Sequence, residues 1–346
     1  MVRKLAELTR IDGISGNEHE VRNYIIQNLE DKFLKHYTDN IGNLIVKGKT
    51  DGSSGLKVML SAHMDEVGLM VNYITEDGKL KFSPVGGLDS RILAGQHVRV
   101  GRDRIPGVIG YKSIHLQDKS ERESVIKLKN LYIDIAAKDR ENAEEYVKTG
   151  DYAAFASEPV FFGESRIKAK ALDDRAGCAV LMELLKEVWP FELYACFTVQ
   201  EEVGLRGALV AANRIKPDIG IVLEGTTCAD VPKVKEHEMS TVMGEGPALS
   251  FADRTSLADR ELFYHFLKTA EIEGIPYQVK RTATGGNDAG KIQTAGTGVR
   301  TMVVSVPCRY IHSPVSVLDL NDLKNMLKLV SKALHTLPEA IGGRII

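Results

Sequence analysis

Apolar residues along this chain recur in two rhythms, and the rhythm changes twice. Residues 2–9 and 18–29 carry them at helical spacing; in the second segment Val21, Tyr24, Ile25 and Leu29 share one face, and Asn17 stands where a cap belongs. Short apolar runs at 43–46 and 56–60 predict strands. From residue 69 to about 163 the segments become short and alternating, as at 69–74 and 98–100. Turns such as Glu76-Asp77-Gly78 and Val85-Gly86-Gly87 separate them, a pattern that predicts a small β-barrel or sandwich. Residues 139–147 predict its one clear helix, and the apolar-free run Lys119-Ser120-Glu121-Arg122-Glu123-Ser124 reads as a mobile surface loop.

Beyond residue 166 strands and helices alternate. Helices are predicted at 174–188, 208–214, 257–273 and 320–335, and strands at 191–199, 219–223, 277–280 and 301–306. Apolar strands separated by amphipathic helices imply an α/β fold, a mostly parallel sheet covered by helices on both faces. The expected organisation is therefore a discontinuous α/β domain, residues 1–67 and 164–346, interrupted by a β-rich domain at 68–163.

In open α/β sheets functional groups gather beyond the carboxyl ends of the strands. Five elements here deliver a histidine or carboxylate to such a place. The strand at 56–60 exits to His63 and Asp65, and Asp173 immediately precedes the helix at 174. The strand at 191–199 exits to the adjacent pair Glu201 and Glu202, the strand at 219–223 to Glu224, and the strand at 301–306 to His312. Two histidines with carboxylates and no cysteine suit zinc, cobalt or manganese. A carboxylate shared by two ions makes a hydrolytic two-metal centre, and Asp173 is the best bridge candidate because it opens a helix. Asp65 can orient the His63 ring, and of the Glu201–Glu202 pair one can bind metal while the other remains free as a base.

Composition narrows the partners. The 346 residues, 43% hydrophobic and 27% charged, fit a globular chain with room for two domains. A net charge of -2 argues against nucleic acid or an anionic membrane, and no segment is long and apolar enough to span one. The first residues lack the apolar region of a secretory signal. Cys178, Cys196, Cys228 and Cys308 lie far apart, as expected of buried thiols in a cytoplasmic protein.

The segments around these residues form six motifs in order. They are His63-Met64-Asp65-Glu66-Val67-Gly68, Ala171-Leu172-Asp173-Asp174-Arg175-Ala176-Gly177 and Val199-Gln200-Glu201-Glu202-Val203-Gly204. Leu223-Glu224-Gly225-Thr226-Thr227, Gly286-Asn287-Asp288-Ala289-Gly290 and Arg309-Tyr310-Ile311-His312-Ser313 complete the set. Together they resemble the tetrahedral (TET-type) dizinc aminopeptidases, a family also labelled glutamyl aminopeptidase or endoglucanase. The resemblance spans nearly the whole chain. It implies a zinc-exopeptidase α/β domain and hydrolysis of N-terminal residues from small peptides. It also implies an inserted dimerisation domain, with dimers assembled into tetrahedral dodecamers. By the same likeness His63 and Glu224 bind one of two zinc or cobalt ions and Glu202 and His312 the other. Asp173 bridges them, Glu201 is the general base, and Asp65 orients His63. Many relatives have aspartate where this chain has Glu224. The 119–124 loop would reach toward a neighbouring subunit's site. The loop Gly285-Gly286-Asn287-Asp288 has two readings, a substrate contact near the metals or a glycine-rich turn capping the next helix. Donor chemistry alone leaves other dizinc hydrolases open, a carboxypeptidase or an N-acyl deacylase; a glycoside hydrolase would leave the histidines and Asp173 without a purpose.

Overall fold

The computed structural model describes residues 1–31 and 34–341. Its main sheet is parallel at the centre, in the order Glu192–Thr198, Lys57–His63, Ile219–Thr227, Arg300–Arg309. The margins are antiparallel. Leu44–Lys47 and His36–Thr38 extend one side; Ser316–Asp319, Arg166–Ala169 and Val160–Phe162 extend the other. The turn from Arg309 to Ser316 is too short for the crossover a parallel neighbour needs, so that strand returns antiparallel. Ala248–Ser250 also pairs antiparallel with Arg300–Arg309 and carries Gln278–Val279 beside it.

The central strands are apolar without interruption because both of their faces are buried. On the strand Lys57–His63, Val58, Leu60 and Ala62 join the larger core, while Met59 belongs to the smaller core on the opposite face. Helices Leu172–Leu184, Arg260–Ile272 and Leu320–His335 contribute to the first core, and Arg206–Ile215 and Ala289–Gln293 to the second.

After His63 the chain leaves the sheet to form a closed barrel. Its strand order is Tyr152–Phe155, Gly68–Ile74, Leu80–Val85, Tyr132–Asp134, Ile105–Gly110, His97–Val100. Alternate residues, among them Leu69, Val71, Val98, Val100 and Ile133, fill a separate core. Closure leaves no unpaired edge. The chain is back in the main sheet at Val160–Phe162, a few residues ahead of the boundary expected at 164.

Three local expectations are corrected. Lys119–Glu123 is a helical turn rather than an irregular loop, because Asp118 and Glu121 form a capping box: Asp118 accepts from Glu121 N at 2.9 Å, and Glu121 accepts from Asp118 N at 3.0 Å. The helix expected over 139–147 is shorter, Arg140–Glu144, with Asp139 as its cap. The helix His19–Gln27 starts after Glu18, not Asn17, and Glu18 turns its carboxylate elsewhere.

Beneath the sheet edge, Lys170 Nζ sits 2.5 Å from Glu66 Oε1 and 3.2 Å from Asp12 Oδ1, and Arg175 Nη2 lies 3.7 Å from Glu66. Lys170, Glu66 and Arg175 are all buried. Removing one member of a buried ion pair leaves its partner desolvated without compensation. Lys170→Met is therefore expected to lower the unfolding free energy by about 3–5 kcal/mol, measured by denaturant titration. A loss below about 1 kcal/mol would show that Gly13 N and Arg175 suffice for Glu66.

Candidate metal centre

Parallel register brings the strand exits to one edge. Thr198 pairs with His63, and Glu224 lies opposite Ser305 on the neighbouring strand. His63 ends its strand, Glu224 lies inside Ile219–Thr227, and Glu201 and Glu202 follow Thr198 after Val199 and Gln200. The backbone turns abruptly on either side of these side chains. Ala171, Gln200, Tyr310 and His312 all hold left-handed conformations, with φ of 52°, 56°, 57° and 56°. Such conformations cost energy in non-glycine residues and persist where the surroundings over-determine them.

The two histidines approach Asp173 from opposite sides. His63 Nε2 is 3.3 Å from Asp173 Oδ1 and 3.2 Å from Glu224 Oε1. His312 Nε2 is 3.5 Å from Asp173 Oδ2 and 3.3 Å from Glu202 Oε2. Each oxygen of Asp173 thus faces its own histidine–glutamate pair. Gly225 permits this arrangement, since a Cβ there would stand 2.9 Å from Asp173 Oδ1 and 3.1 Å from its Cα.

Asp65 organises both halves of the site. Its own carbonyl lies 3.1 Å from His63 Nδ1, closer than its carboxylate at 3.5 Å. The carboxylate accepts from Glu201 N at 3.0 Å, Glu202 N at 3.1 Å and Ser15 Oγ at 2.6 Å. Glu18 adds a third clamp, accepting from Gln200 N at 3.1 Å. Three consecutive amides of the Gln200–Glu202 turn therefore end on two buried carboxylates. From the barrel side, the Gly87 carbonyl lies 3.0 Å from His312 Nδ1.

Electrostatics follow from packing acids and imidazoles out of water. Burial pushes the Glu202 carboxyl up to about 7, with His312 opposing and Asp173 adding to the rise. Burial likewise raises Glu201 and Glu224 well above the usual carboxylate range. Burial works against a charge on His312, but Asp173 and Glu202 outweigh it and raise the imidazole to about 9. The two histidines hold Asp173 below its ordinary value despite its burial. Burial also raises the Glu18 carboxyl to about 7.

The donor set fits divalent cations. Glu202 Oε1 and Glu224 Oε2 are buried without a hydrogen-bond partner from the protein, facing the cluster with donor capacity unused. Ligand atoms of His63, Asp173 and Glu202 come within 4.8 Å of one another, as do those of His63, Asp174 and Glu224. Asp174 is the weaker donor of that second group, because its oxygens already accept from His63 N and Gly177 N. Nitrogen and carboxylate donors without sulfur suit zinc, cobalt or manganese.

Every site residue named from the sequence, His63, Asp65, Asp173, Glu201, Glu202, Glu224 and His312, reaches this cluster or supports it. Asp288 does not reach the cleft. It is buried beneath it, accepting from Ser61 Oγ at 2.9 Å and Thr198 Oγ1 at 2.6 Å, and Asn287 takes the position on the wall. Within the single chain, the Lys119–Glu123 turn lines a groove of its own away from the cluster. Glu18, Gly87 and Lys280 had no signature in the sequence: a glutamate at a helix start resembles a cap, and a glycine or a strand-end lysine resembles a turn.

A family model described as M42 glutamyl aminopeptidase matches residues 42–329. A lysyl aminopeptidase of Pyrococcus furiosus is 34% identical over 333 residues, 94% of either chain. Aminopeptidase APDkam598 from the archaeon Desulfurococcus kamchatkensis superposes with a TM-score of 0.93 at 36% identity, covering 99% of this chain and 97% of its own. The TET1 peptidase of Pyrococcus horikoshii, a protein that can assemble into a tetrahedron or a large octahedral shell, superposes with a TM-score of 0.85 at 36% identity over 96% and 98% of the two chains.

Proposed function

We propose, for a chain that belongs to the M42 glutamyl aminopeptidase family and is a metal-dependent aminopeptidase, that the cluster around Asp173 is its catalytic centre and holds two divalent cations. His63 and Glu224 would hold one, His312 and Glu202 the other, and Asp173 both. The observation that carries this is the division of Asp173, one oxygen toward each histidine–glutamate pair. Zinc or cobalt is the expected occupant, with manganese also suited to these donors. Bound there, the cations would polarise the scissile carbonyl and lower the pKa of water.

The chain's own part begins with Glu201. Its carboxylate stands beside the cluster while its backbone is fixed through Asp65, so it can take a proton from the attacking water and return it to the leaving amine nitrogen. Asp65 and Glu18 hold the turn so that Glu201 and Glu202 diverge, one toward the proton and the other toward the cation. The cleft that contains these groups has a volume of about 500 Å³ and suits a small peptide.

One comparison tests the reading. The metal-loaded protein should cleave peptides with a free N-terminus, lose that activity on chelation, and leave the same peptides intact once acetylated. Equal cleavage of acetylated peptides would point to a deacylase or an endopeptidase, and release of C-terminal residues to a carboxypeptidase.

Residues 1–67 and 164–346 are taken as the peptidase domain and 68–163 as a dimerisation domain. Assembly into homo-oligomers, dimers built into a tetrahedral dodecamer, is supported by the TET1 likeness and by Phe161 and Phe162, which lie exposed on the sheet's edge strand. Light scattering should return a mass many times that of the chain; a monomer would reject the assembly. No described helix is long and apolar enough to cross a membrane. The four cysteines are free and buried, which supports a cytoplasmic site of action.

A further inference from the structure

His312 is less sheltered than its counterpart across Asp173. Its side chain is 37% exposed, where that of His63 is 1% exposed. His63 and Glu224 lie within paired strands, opposite Thr198 and Ser305, so the parallel ladder itself fixes them. Glu202 is held through its amide by Asp65. His312 has neither support, because its strand, Arg300–Arg309, ends before it. The Gly87 carbonyl steadies its ring, not its backbone. Tyr310 and His312 nonetheless hold left-handed conformations, which persist only where the surroundings over-determine them.

The last residue of that strand supplies the anchor. Arg309 Nε donates to Asp230 Oδ1 at 2.8 Å and Nη2 to Asp230 Oδ2 at 2.7 Å, a two-point fork. The Asp230 side chain is 7% exposed and is tied down in turn, since its Oδ2 also accepts from Met243 N at 3.1 Å. Just beyond, Gly244 N and Gly246 N donate at 2.6 and 2.8 Å to the buried Asp322, on the helix Leu320–His335. Ahead of Asp230, Cys228 N donates to Cys308 O at 2.9 Å. Cys228, Met243 and Val317 pack together, and Val317 pairs with Arg309. Past Arg309 the turn is closed by two hydroxyls: Ser313 Oγ and Ser316 Oγ donate to Tyr310 O at 2.5 and 3.1 Å. A turn closed on itself still pivots at its base unless the base is fixed at two points. An arginine fork sets the angle as well as the distance, which a single ammonium contact does not.

We propose that Arg309, braced by Asp230, is a positioning residue that presents His312 to the cation it would hold with Glu202 and Asp173. The assignment rests on the two-cation reading above. It makes the halves of the centre unequal, because one ion depends on the fork and the other does not.

The test titrates zinc calorimetrically into the metal-free full-length chain, with bound metal counted on the same samples. Circular dichroism on the metal-free variants checks that each is folded. Arg309→Lys keeps the charge and loses the fork, whereas Asp230→Asn keeps the shape and loses the charge. Each should weaken one of the two ions by about 10- to 100-fold and leave the other as tight as before. The two changes together should do little more than either alone, because they break one contact. In a His312→Ala chain neither change should alter the affinity of the ion that remains. Equal weakening of both ions, or a weakening that survives in the His312→Ala chain, would overturn the proposal, since the fork would then only stabilise the fold. Arg309→Lys and Asp230→Asn chains that bind both ions as tightly as the wild type would overturn it as well. A wild type that takes up fewer than two ions would overturn the two-cation reading and the proposal with it.

Discussion

Glu201→Gln is expected to lower kcat by about 10²- to 10⁴-fold while the protein keeps its full metal content and its fold. The side chain is 9% exposed, its backbone N is bound to Asp65 Oδ1 at 3.0 Å, and neither histidine lies within ion-pair distance of its carboxylate. Glutamine has the same shape, so the turn and the neighbouring Glu202 stay in place. What it lacks is an oxygen that can hold a proton during the reaction. The loss should therefore fall on kcat, with KM changed far less, because ground-state contacts survive. The measurement is steady-state kinetics on an aminoacyl p-nitroanilide, with metal content determined on the same preparation. Turnover within tenfold of the wild type would remove Glu201 from the role of base. A parallel loss of metal would instead make it a ligand.

Much of this site could be read along the chain because its chemistry sits at strand ends. Apolar runs that stop at His63, Glu201 and Glu224 expose where the sheet edge must be, and the parallel register then aligns them without further information. The long helix Leu320–His335 was equally legible, since its apolar face repeats over four turns. What remained hidden was set by contacts distant in sequence. Ala248–Ser250 is too short for periodicity to register, and the strand legible at 277–280 gave no hint of pairing with it, yet together they place Lys280 on the cleft wall. Glu18 is 182 residues from the amide it accepts from. Gly87 meets His312 only because the barrel folds back over the sheet edge. Asp288 lay in a legible motif, but whether its carboxylate faced the cleft or the sheet depended on Ser61 and Thr198, which no local pattern connects to it. Composition signals which residue types can do chemistry, and pairing of remote strands decides which of them meet.

Asp173→Asn should do more damage than the loss of the base, because it strikes both halves of the centre together. The carboxylate presents one oxygen to the His63 and Glu224 pair and the other to the His312 and Glu202 pair. An amide of the same shape keeps only one oxygen and turns two hydrogens toward the other pair, where they repel a cation. One pair thus loses a donor and gains a repulsive contact, and the other keeps a donor that has lost its charge. Bound metal should fall from two ions per chain to one or none. The rate should drop by more than about 10³-fold, since substrate polarisation and water activation would both depend on the proposed pair of cations. His312→Ala offers the contrast: it touches one pair, so one ion should remain at near-normal affinity. Thermal unfolding gives a readout independent of turnover. A cation that binds only the folded state raises its melting temperature by mass action, so added zinc or cobalt should shift the wild type strongly, His312→Ala less, and Asp173→Asn least. If Asp173→Asn bound two ions with unchanged affinity, the two pairs would be independent sites and the shared carboxylate would have no part in holding them together.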